Sequence, residues 1–430
     1  MKEYPRLLAV DQQRRIVEAP GFQACGLAGE QVSVLRPADL VPLPAAGRLF
    51  VLPLRTPVGF DRRRGVFEEI ADVNAVAALV PPGYTQLYCA AYRQQPQAQT
   101  LPLFSYAPVA WYRGGYAVPA VRVDRRGVHD TGQISPAMIR RAVRPYRATP
   151  NRLLRRLQQC ALSSRCANAI NFFVGRYECP LPVSPACNAR CAGCISFQPA
   201  YSPPASQQRI CFVPDPEEVA EIALAHIQRV RRPMVSFGQG CEGEPLLQAE
   251  VIAAAIRLIR ARTAKGTIHL NTNGSLPAAI ARLCRSGLNS IRVSLNSCQA
   301  DWYRRYYRPQ GYTFADVRAT IAVAKRYNLF ISLNYLVMPG VTDHPREWAR
   351  LRQLLRSAKP DMIQWRNLNI DPQQYYRIIG AEAERLLGVR TVIENVSREF
   401  PGIRQGYFNV PKECFRHTRP APGMILNGGG

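Results

Sequence analysis

The strongest constraint on the fold is a regular alternation of short β-type runs and amphipathic helical patterns between residues 181 and 372. Helices between successive strands favour a parallel sheet, because parallel neighbours need a long crossover connection. The alternation predicts an α/β fold, a partial (β/α)6 TIM-like barrel. The predicted strands are 181–184, 234–238, 267–271, 290–296, 330–338 and 362–370, and the predicted helices are 215–230, 248–263, 277–286, 313–328 and 345–357.

The chain before this alternation has a different pattern. Short alternating stretches and frequent prolines predict a β-rich accessory domain over residues 1–135, with a hairpin turn at Gly114-Gly115. Helical patterns predict a helical connector over residues 136–178. The barrel then occupies residues 179–372, and residues 373–430 form a C-terminal tail whose elements the sequence does not resolve.

Composition narrows the cellular context and the partners. The net charge of +26 allows a nucleic-acid partner but does not favour one, because the arginines are spread along the chain. The N-terminus resembles no secretory signal, and no apolar run approaches the ~18 residues of a membrane span. We therefore expect a soluble cytoplasmic protein without a membrane partner. In such a protein, the 13 cysteines serve metal binding, chemistry or packing rather than disulfides.

The predicted barrel lumen is unusually polar. Alternate side chains of a barrel strand point inward, and a purely structural lumen is filled by bulky branched residues. Burying polar groups without partners is costly, so the pattern predicts a polar ligand inside the barrel. An open sheet with one solvated face is the alternative, although that pattern is more typical of antiparallel sheets. The predicted lumen positions are Ser236, His269, Asn271, Arg292, Ser294 and Asn334.

Three cysteines are crowded into the segment CNARCAGC, residues 187–194, directly after the first predicted strand. Barrel enzymes keep their active sites at this end of the strands. Three thiolates on one loop can ligate three irons of a [4Fe–4S] cluster, which leaves the fourth iron without a protein ligand. That open position would accept a substrate or cofactor, as in catalytic zinc sites, whereas a structural zinc site would need a fourth nearby ligand.

The Cys-x3-Cys-x2-Cys loop resembles that of the radical S-adenosylmethionine (radical SAM) superfamily, and the resemblance extends over roughly residues 180–372. It implies that Cys187, Cys191 and Cys194 hold a [4Fe–4S] cluster whose open iron chelates SAM. Reductive cleavage of SAM would yield a 5′-deoxyadenosyl radical, which abstracts hydrogen from a substrate. An electron donor such as a flavodoxin or ferredoxin is implied as a partner, while the substrate and the consumption or recycling of SAM stay open.

Four later segments extend the resemblance. The segments GQGCEGEPLL (238–247) and NTNG (271–274) look like the family's Gly-Gly-Glu-Pro and Thr-Asn-Gly elements. The segments RVSLNS (292–297) and LVMPGVTD (336–343) look like its fourth-strand and fifth-strand elements. The SAM contacts that these segments imply are Gly240, Gly243, Glu244, Pro245, Asn271, Asn273, Arg292, Ser294 and Asn296.

Two positions depart from the family pattern. Gly193 precedes the third cysteine, where the family usually carries an aromatic residue that stacks on adenine, and Phe197 is the candidate substitute. Glu242 replaces the first glycine of the Gly-Gly-Glu-Pro element. The backbone turn must then be made with Gly240 and Gly243.

Other chemistry-bearing residues have both a functional and a structural interpretation. Cys241 is a candidate catalytic residue or a packed small side chain, and His269 is a candidate proton donor or a hydrogen-bonded core residue. Cys160, Cys166 and Cys179 are candidates for an auxiliary cluster or for simple burial.

The leading hypothesis is a radical SAM enzyme that acts on an unknown substrate. An RNA-modifying member of the same superfamily is one alternative, and tight, salt-sensitive RNA binding would support it. A non-catalytic zinc or Fe–S binding module is the other alternative, which one bound zinc without iron would support.

Overall fold

The computed structural model describes residues 3–200, 202–382 and 384–415. Within these residues the chain forms an antiparallel N-terminal sheet of fourteen strands and a parallel sheet of seven strands. The N-terminal strands are β1 (Arg6–Val10), β2 (Ile16–Ala28), β3 (Gln31–Val34), β4 (Leu40–Pro42), β5 (Arg48–Leu52), β6 (Arg55–Asp61), β7 (Val66–Glu69), β8 (Asn74–Leu79), β9 (Tyr84–Gln86), β10 (Cys89–Ala90), β11 (Tyr92–Gln94), β12 (Ala107–Pro108), β13 (Ala110–Tyr112) and β14 (Gly115–Arg122).

The β-rich character of the N-terminal region is confirmed. The hairpin between β13 and β14 lies one residue earlier than predicted, because Gly115 already pairs with Tyr112. Arg113 and Gly114 form the turn, both with positive φ angles of 53° and 76°. Positive φ at both central residues is the geometry that suits a two-residue hairpin loop.

The helical connector contains α1 (Pro136–Val143), α2 (Arg152–Leu162) and α3 (Ala167–Val174). The side chains of Ser135 and Asn151 cap the first two helices by accepting amide hydrogen bonds. Such caps satisfy amides that have no partner within the helix.

The parallel sheet is the framework of a partial β/α barrel, and its strands follow one another in sequence order. They are β15 (Glu178–Pro180), β16 (Met234–Phe237), β17 (Thr267–Thr272), β18 (Ser290–Leu295), β19 (Phe330–Val337), β20 (Met362–Asn367) and β21 (Arg404–Gly406). The helices between and after them are α4 (Pro216–Arg229), α5 (Ala249–Arg262), α6 (Pro277–Ser286), α7 (Ala300–Tyr307), α8 (Phe314–Arg326), α9 (Pro345–Ala358), α10 (Pro372–Ile379) and α11 (Val389–Glu399).

Two strands differ from the prediction. The first strand is β15, and the predicted strand at 181–184 was wrong, because the amides of Val183 and Ser184 donate to the Glu242 side chain. The sheet also gains β21, which pairs in parallel with β20 beyond residue 372. The sequence of β21, Arg-Gln-Gly, has no apolar run that would have revealed a strand. The domain boundaries themselves stay predictions.

The predicted two-faced character of the strands is confirmed in β18. Ile291, Val293 and Leu295 are fully buried on the side of the helices. The parallel register places Arg292 beside Asn271, and Ser294 beside Asn334, on the inward side. Many inward groups find partners within the barrel, as when the Asn334 amide donates to the Ser294 hydroxyl over 3.1 Å.

The N-terminal sheet packs against the carboxyl ends of β19 and β20. The Thr85 hydroxyl donates to the Trp365 carbonyl over 2.7 Å, and the Gly29 amide donates to the Pro339 carbonyl over 3.3 Å. One hydrophobic core runs without interruption from the N-terminal sheet into the barrel. Among the described residues, no helix is long and apolar enough to cross a membrane.

Candidate cofactor site

The cysteine loop lies between β15 and α4 and is held by the end of α7. The amides of Arg190 and Ala192 donate to the carbonyls of Tyr307 and Tyr306 over 3.0 and 2.9 Å. Gln198 donates a side-chain hydrogen bond of 2.8 Å back to the Cys194 carbonyl. These contacts fix the backbone of the loop on both sides of its last two cysteines.

The three predicted cluster ligands, Cys187, Cys191 and Cys194, are all partly buried and lie within electrostatic reach of one another. Burial, followed by the negative charge of Glu244, raises the pKa of Cys187 to about 11. The positive charge of Arg209 acts in the opposite direction and lowers the pKa of Cys187. The same guanidinium donates to the Cys194 thiol over 3.6 Å. A neighbouring cation favours the thiolate form that binds metal.

The described residues contain no group of three or more His, Cys, Asp or Glu side chains arranged to hold a single metal ion. A single zinc ion needs its ligands gathered within about 2.0–2.3 Å of one point. A [4Fe–4S] cluster instead takes one thiolate on each iron, which suits ligands that are spread around a larger group. Three thiolates on one loop can therefore ligate three irons of such a cluster and leave the fourth iron without a protein ligand.

The buried Glu242 side chain connects the segment that leads into the cysteine loop with the loop that follows β16. One carboxylate oxygen accepts the amides of Val183 and Ser184 over 2.7 and 3.0 Å. The other accepts the amide of Gln239 over 2.6 Å. Burial outweighs these hydrogen bonds and raises the pKa of Glu242 to about 7. The departure from the family's glycine thus adds a side-chain tie between two functional loops.

Gly243 lies against the start of the cysteine loop with no room for a side chain. A Cβ atom there would overlap the Ala186 carbonyl. The amides of Gly243 and Glu244 donate to the carbonyls of Ser184 and Ala186 over 2.7 and 2.9 Å. Only glycine permits this approach of the two backbones.

Glu244 is buried and points toward the end of β17. Its carboxylate accepts the Thr272 hydroxyl at 2.5 Å, the Asn273 amide at 2.8 Å and the Leu246 amide at 3.0 Å. Burial raises the pKa of Glu244 to about 7. Asn273 in turn donates to the side chain of Asn188, inside the cysteine loop, over 2.9 Å. The structure thereby connects the Glu-Pro and Thr-Asn-Gly elements to that loop.

Tyr306 explains the glycine at position 193. A Cβ atom on Gly193 would lie 2.9 Å from the Tyr306 hydroxyl and 3.2 Å from the Asn369 carbonyl. An aromatic side chain cannot be built at position 193 without displacing that tyrosine. Tyr306 belongs to an aromatic cluster on α7, in which Tyr303 and Tyr307 stack at 4.4 Å. An aromatic side chain from α7 therefore lies beside position 193.

Phe197, the predicted substitute, is 53% exposed. Its ring lies beside the Arg209 guanidinium, 5.3 Å from ring centre to carbon. The structure thus places Phe197 on an exposed surface.

His269 uses both ring nitrogens inside the protein. Nδ1 hydrogen-bonds Ser290 at 2.7 Å, and Nε2 hydrogen-bonds Asn271 at 3.0 Å. Burial, followed by the charge of Arg292, lowers the pKa of His269 to about 3, so the ring is neutral near pH 7. Both ring nitrogens of His269 therefore already have partners inside the protein.

The other predicted cysteines are not gathered into one site. The Cys241 thiol is buried, with Cys160 and Cys166 as its neighbours. Cys179 lies apart from them on β15, fully buried, with Arg229 and Glu178 as its charged neighbours. The structure therefore places Cys160 beside Cys241 rather than beside Cys179.

The remaining predicted SAM contacts lie along the inner face and the carboxyl ends of the strands. Asn296 is buried after β18, and its side-chain oxygen has no hydrogen-bond partner among the described residues. An orphaned acceptor at this end of the sheet fits a bound polar ligand. Pro245 begins a short 3-10 turn that Glu244 caps, and Gly240 faces Ile195.

Sequence reasoning missed three residues that hold the loop. Tyr306 and Arg209 come from segments that looked structural, and Asn188 lies between the cysteines without a distinctive pattern. The run of aromatic and basic residues in ADWYRRYY, residues 300–307, was the signal for a helix that packs near the site.

Comparison with known proteins identifies the barrel region. Residues 181–351 match the radical SAM superfamily. A probable dual-specificity RNA methyltransferase RlmN from Gemmatimonas aurantiaca is 28% identical over 148 residues, which are 33% of this chain and 39% of that protein. A GTP 3′,8-cyclase from Lactiplantibacillus plantarum is 28% identical over 166 residues, 38% of this chain and 46% of that protein. The chain thus spans less than half the length of these two curated relatives.

Two solved structures are similar at lower identity. Native anSMEcpe with bound AdoMet has a TM-score of 0.35 and 18% identity, over 45% of this chain and 52% of that one. Methylornithine synthase (PylB) has a TM-score of 0.39 and 14% identity, over 65% and 77%. Residues 181–351 of this chain therefore match a radical SAM domain, the domain that in this superfamily binds a [4Fe–4S] cluster and SAM.

Proposed function

We propose that this protein is a radical SAM enzyme in which Cys187, Cys191 and Cys194 hold the [4Fe–4S] cluster and the barrel lumen holds the substrate. The observation that carries the proposal is the anchored cysteine loop, which Glu242 and Gly243 tie to the loop after β16. Held by these three cysteines, the cluster would supply the electron for reductive cleavage of SAM.

The residues around the cysteine loop supply complementary groups for SAM. Glu244 accepts three hydrogen bonds from the protein, and a carboxylate has about four acceptor sites, so one stays open for the SAM ammonium. A bound cation also favours the charged form of Glu244. Asn296 offers its unpartnered oxygen, and Ser294 and Asn273 line the same end of the sheet. Gly240, Pro245 and Asn271 shape the loops and the strand beneath them.

The N-terminal sheet shields the carboxyl ends of β19 and β20, and shielding prevents a reactive intermediate from meeting water. The turn after β19 is held by Gly29 and by Tyr376, whose hydroxyl donates to the Pro339 carbonyl over 2.8 Å. The proposal requires an electron donor such as a flavodoxin or ferredoxin as a partner.

The test is anaerobic reconstitution with iron and sulfide, followed by dithionite and SAM. We expect about four irons per chain and release of 5′-deoxyadenosine. Cys191→Ser should lose the product and most of the iron, because one of three thiolates is removed. Cys211→Ser is the matched control, because Cys211 is an exposed cysteine outside the loop. Wild-type protein with an intact cluster and no product would refute the proposal.

An RNA substrate is the second candidate, and the similarity to an RNA methyltransferase favours it. RNA binding that weakens steeply with salt would support this candidate, and the absence of RNA binding would remove it.

A further inference from the structure

Two segments, residues 124–129 and residues 407–409, form a wall beside β21, the last strand of the parallel sheet. Asp124 accepts the amides of Tyr407 and Phe408 over 3.1 and 3.2 Å. Arg126 donates to the carbonyls of Phe408 and Asn409 over 2.9 and 3.0 Å. His129 follows this contact and packs edge-on against Phe408, with ring centres 5.0 Å apart. His129 therefore lies next to the segment that follows β21, at the edge of the parallel sheet.

Two arginines face the lumen beside this wall, and one of them, Arg366, donates to the Tyr407 carbonyl over 3.4 Å. The parallel register puts Arg292 beside Ser332 and Arg366 beside Leu336, both on the inward side. Arg292 donates to the Gln364 side chain over 3.2 Å, while its Nε is buried with no partner among the described residues. The Arg366 guanidinium lies 4.5 Å from the centre of the Tyr407 ring.

The charges of this cluster do not balance. Glu178 is the carboxylate whose charge acts on Arg292, but the Arg292 guanidinium donates to Gln364 and forms no ion pair with Glu178 in the described part of the chain. Its side chain instead accepts hydrogen bonds from Ser236 and Asn409. Two guanidinium groups and one carboxylate leave a formal charge of about +1 in a partly enclosed space. Unpaired charge in such a place is costly, and a bound anion relieves the cost.

His129 is suited to the same ligand. Burial, followed by the charges of Arg366 and Arg292, lowers the pKa of His129 to about 3. The ring is therefore neutral near pH 7 and offers one N–H donor and one acceptor. A neutral ring beside two arginines can contact an anion without adding a third positive charge to the empty site.

We propose that Arg292 and Arg366, with His129 beside them, bind an oxyanion group of the substrate, either a carboxylate or a phosphate. Guanidinium groups match both anions, because their planar N–H forks can donate two parallel hydrogen bonds. Arg292 lies one inward position below Ser294 on β18, on the side of the lumen away from the cysteine loop. The inference rests on the proposed function only in calling the anion a part of the substrate.

Binding of inorganic phosphate and of acetate to the reconstituted protein tests the proposal. Calorimetric titration at constant ionic strength should detect at least one of the two anions, and the tighter one indicates the type of substrate group. Arg292→Gln and Arg366→Gln should each weaken the binding about tenfold, the value of one charged hydrogen bond. Arg326→Gln, which removes an exposed arginine of α8, should leave the affinity unchanged.

SAM is the competitor that separates this site from the cofactor site. We expect the anion to bind equally well with and without SAM, and Arg366→Gln to bind SAM as the wild type does. Competition between SAM and the anion would overturn the proposal, as would wild-type affinity in both arginine variants or no binding by the wild type. Anion binding by a protein that releases no 5′-deoxyadenosine would refute the proposed function but leave the anion site in place.

Discussion

Single residues decide how the candidate site is held together. Glu242 occupies a position where the family pattern has glycine. Its carboxylate accepts the amides of Val183 and Gln239 and so connects two loops. The carboxylate reaches backbone amides that no strand partner satisfies. Buried amides need partners, so the side chain replaces part of a missing ladder.

Glu242 should make the stability of the protein depend on pH. Burial raises its pKa from 4.5 to about 7, so the folded chain keeps a proton that the unfolded chain releases between these values. The stabilisation is complete below about pH 4.5 and is lost as the pH rises through 7. Urea unfolding should show a smaller loss of stability from pH 5 to pH 8 in Glu242→Gln than in the wild type.

Glu217→Gln is the control for that experiment, because Glu217 lies exposed on α4. It should retain the wild-type dependence on pH. An identical slope for Glu242→Gln and the wild type would contradict the role assigned to the buried carboxyl.

At the level of elements, α7 supports the cysteine loop. The helix ends at Tyr307, and its last carbonyls accept the amides of the loop. The Tyr306 ring also fills the space beside Gly193. A loop without regular structure thereby gains a rigid support, which a cluster site requires of its ligands.

The pair formed by Gly193 and Tyr306 should show strong coupling. Gly193→Phe alone should lower the melting temperature and the iron content, because the new ring overlaps the Tyr306 hydroxyl. The same substitution in a Tyr306→Ala background should cost less, because the space is then open. A double-mutant cycle on both quantities measures the coupling, and additive effects would show that the two positions do not compete for space.

At the level of the whole molecule, a buried ion pair joins the N-terminal sheet to the barrel. Arg55 and Asp371 lie 3.3 Å apart, with side chains only 2% and 1% exposed. Asp371 also accepts the Leu101 amide over 2.9 Å and caps α10. The carboxylate after β20 therefore serves an interface between the two sheets.

Breaking that pair should destabilise the protein strongly. Arg55→Met should reduce the free energy of unfolding by about 3–5 kcal/mol, because Asp371 would keep a buried charge without its partner. Arg93→Met removes a comparable pair with Glu69 whose side chains are 73% and 48% exposed, and should cost less than about 1 kcal/mol. Denaturant unfolding measures both values, and equal effects would argue against a special role for the buried pair.

The barrel was predictable because its strands carry a periodic signal. Ile291, Val293 and Leu295 alternate with polar residues, and burial of the apolar set requires that pattern wherever one face meets helices. β21 was not predictable, because its three residues are held by pairing with β20 rather than by an apolar pattern of their own. The cysteine spacing likewise indicated a cluster, since three ligands on one short loop are local in sequence.

The sequence alone determined the order of the strands β16 to β20 and of the helices predicted between them, the polar lumen and the position of the cysteine loop, because each is encoded within a few neighbouring residues. Tertiary structure alone decided that Tyr306 stands beside Gly193, that Cys160 meets Cys241, and that His129 lies near Arg292 and Arg366. Each of these contacts joins distant segments, and the packing of whole elements sets the distances between them.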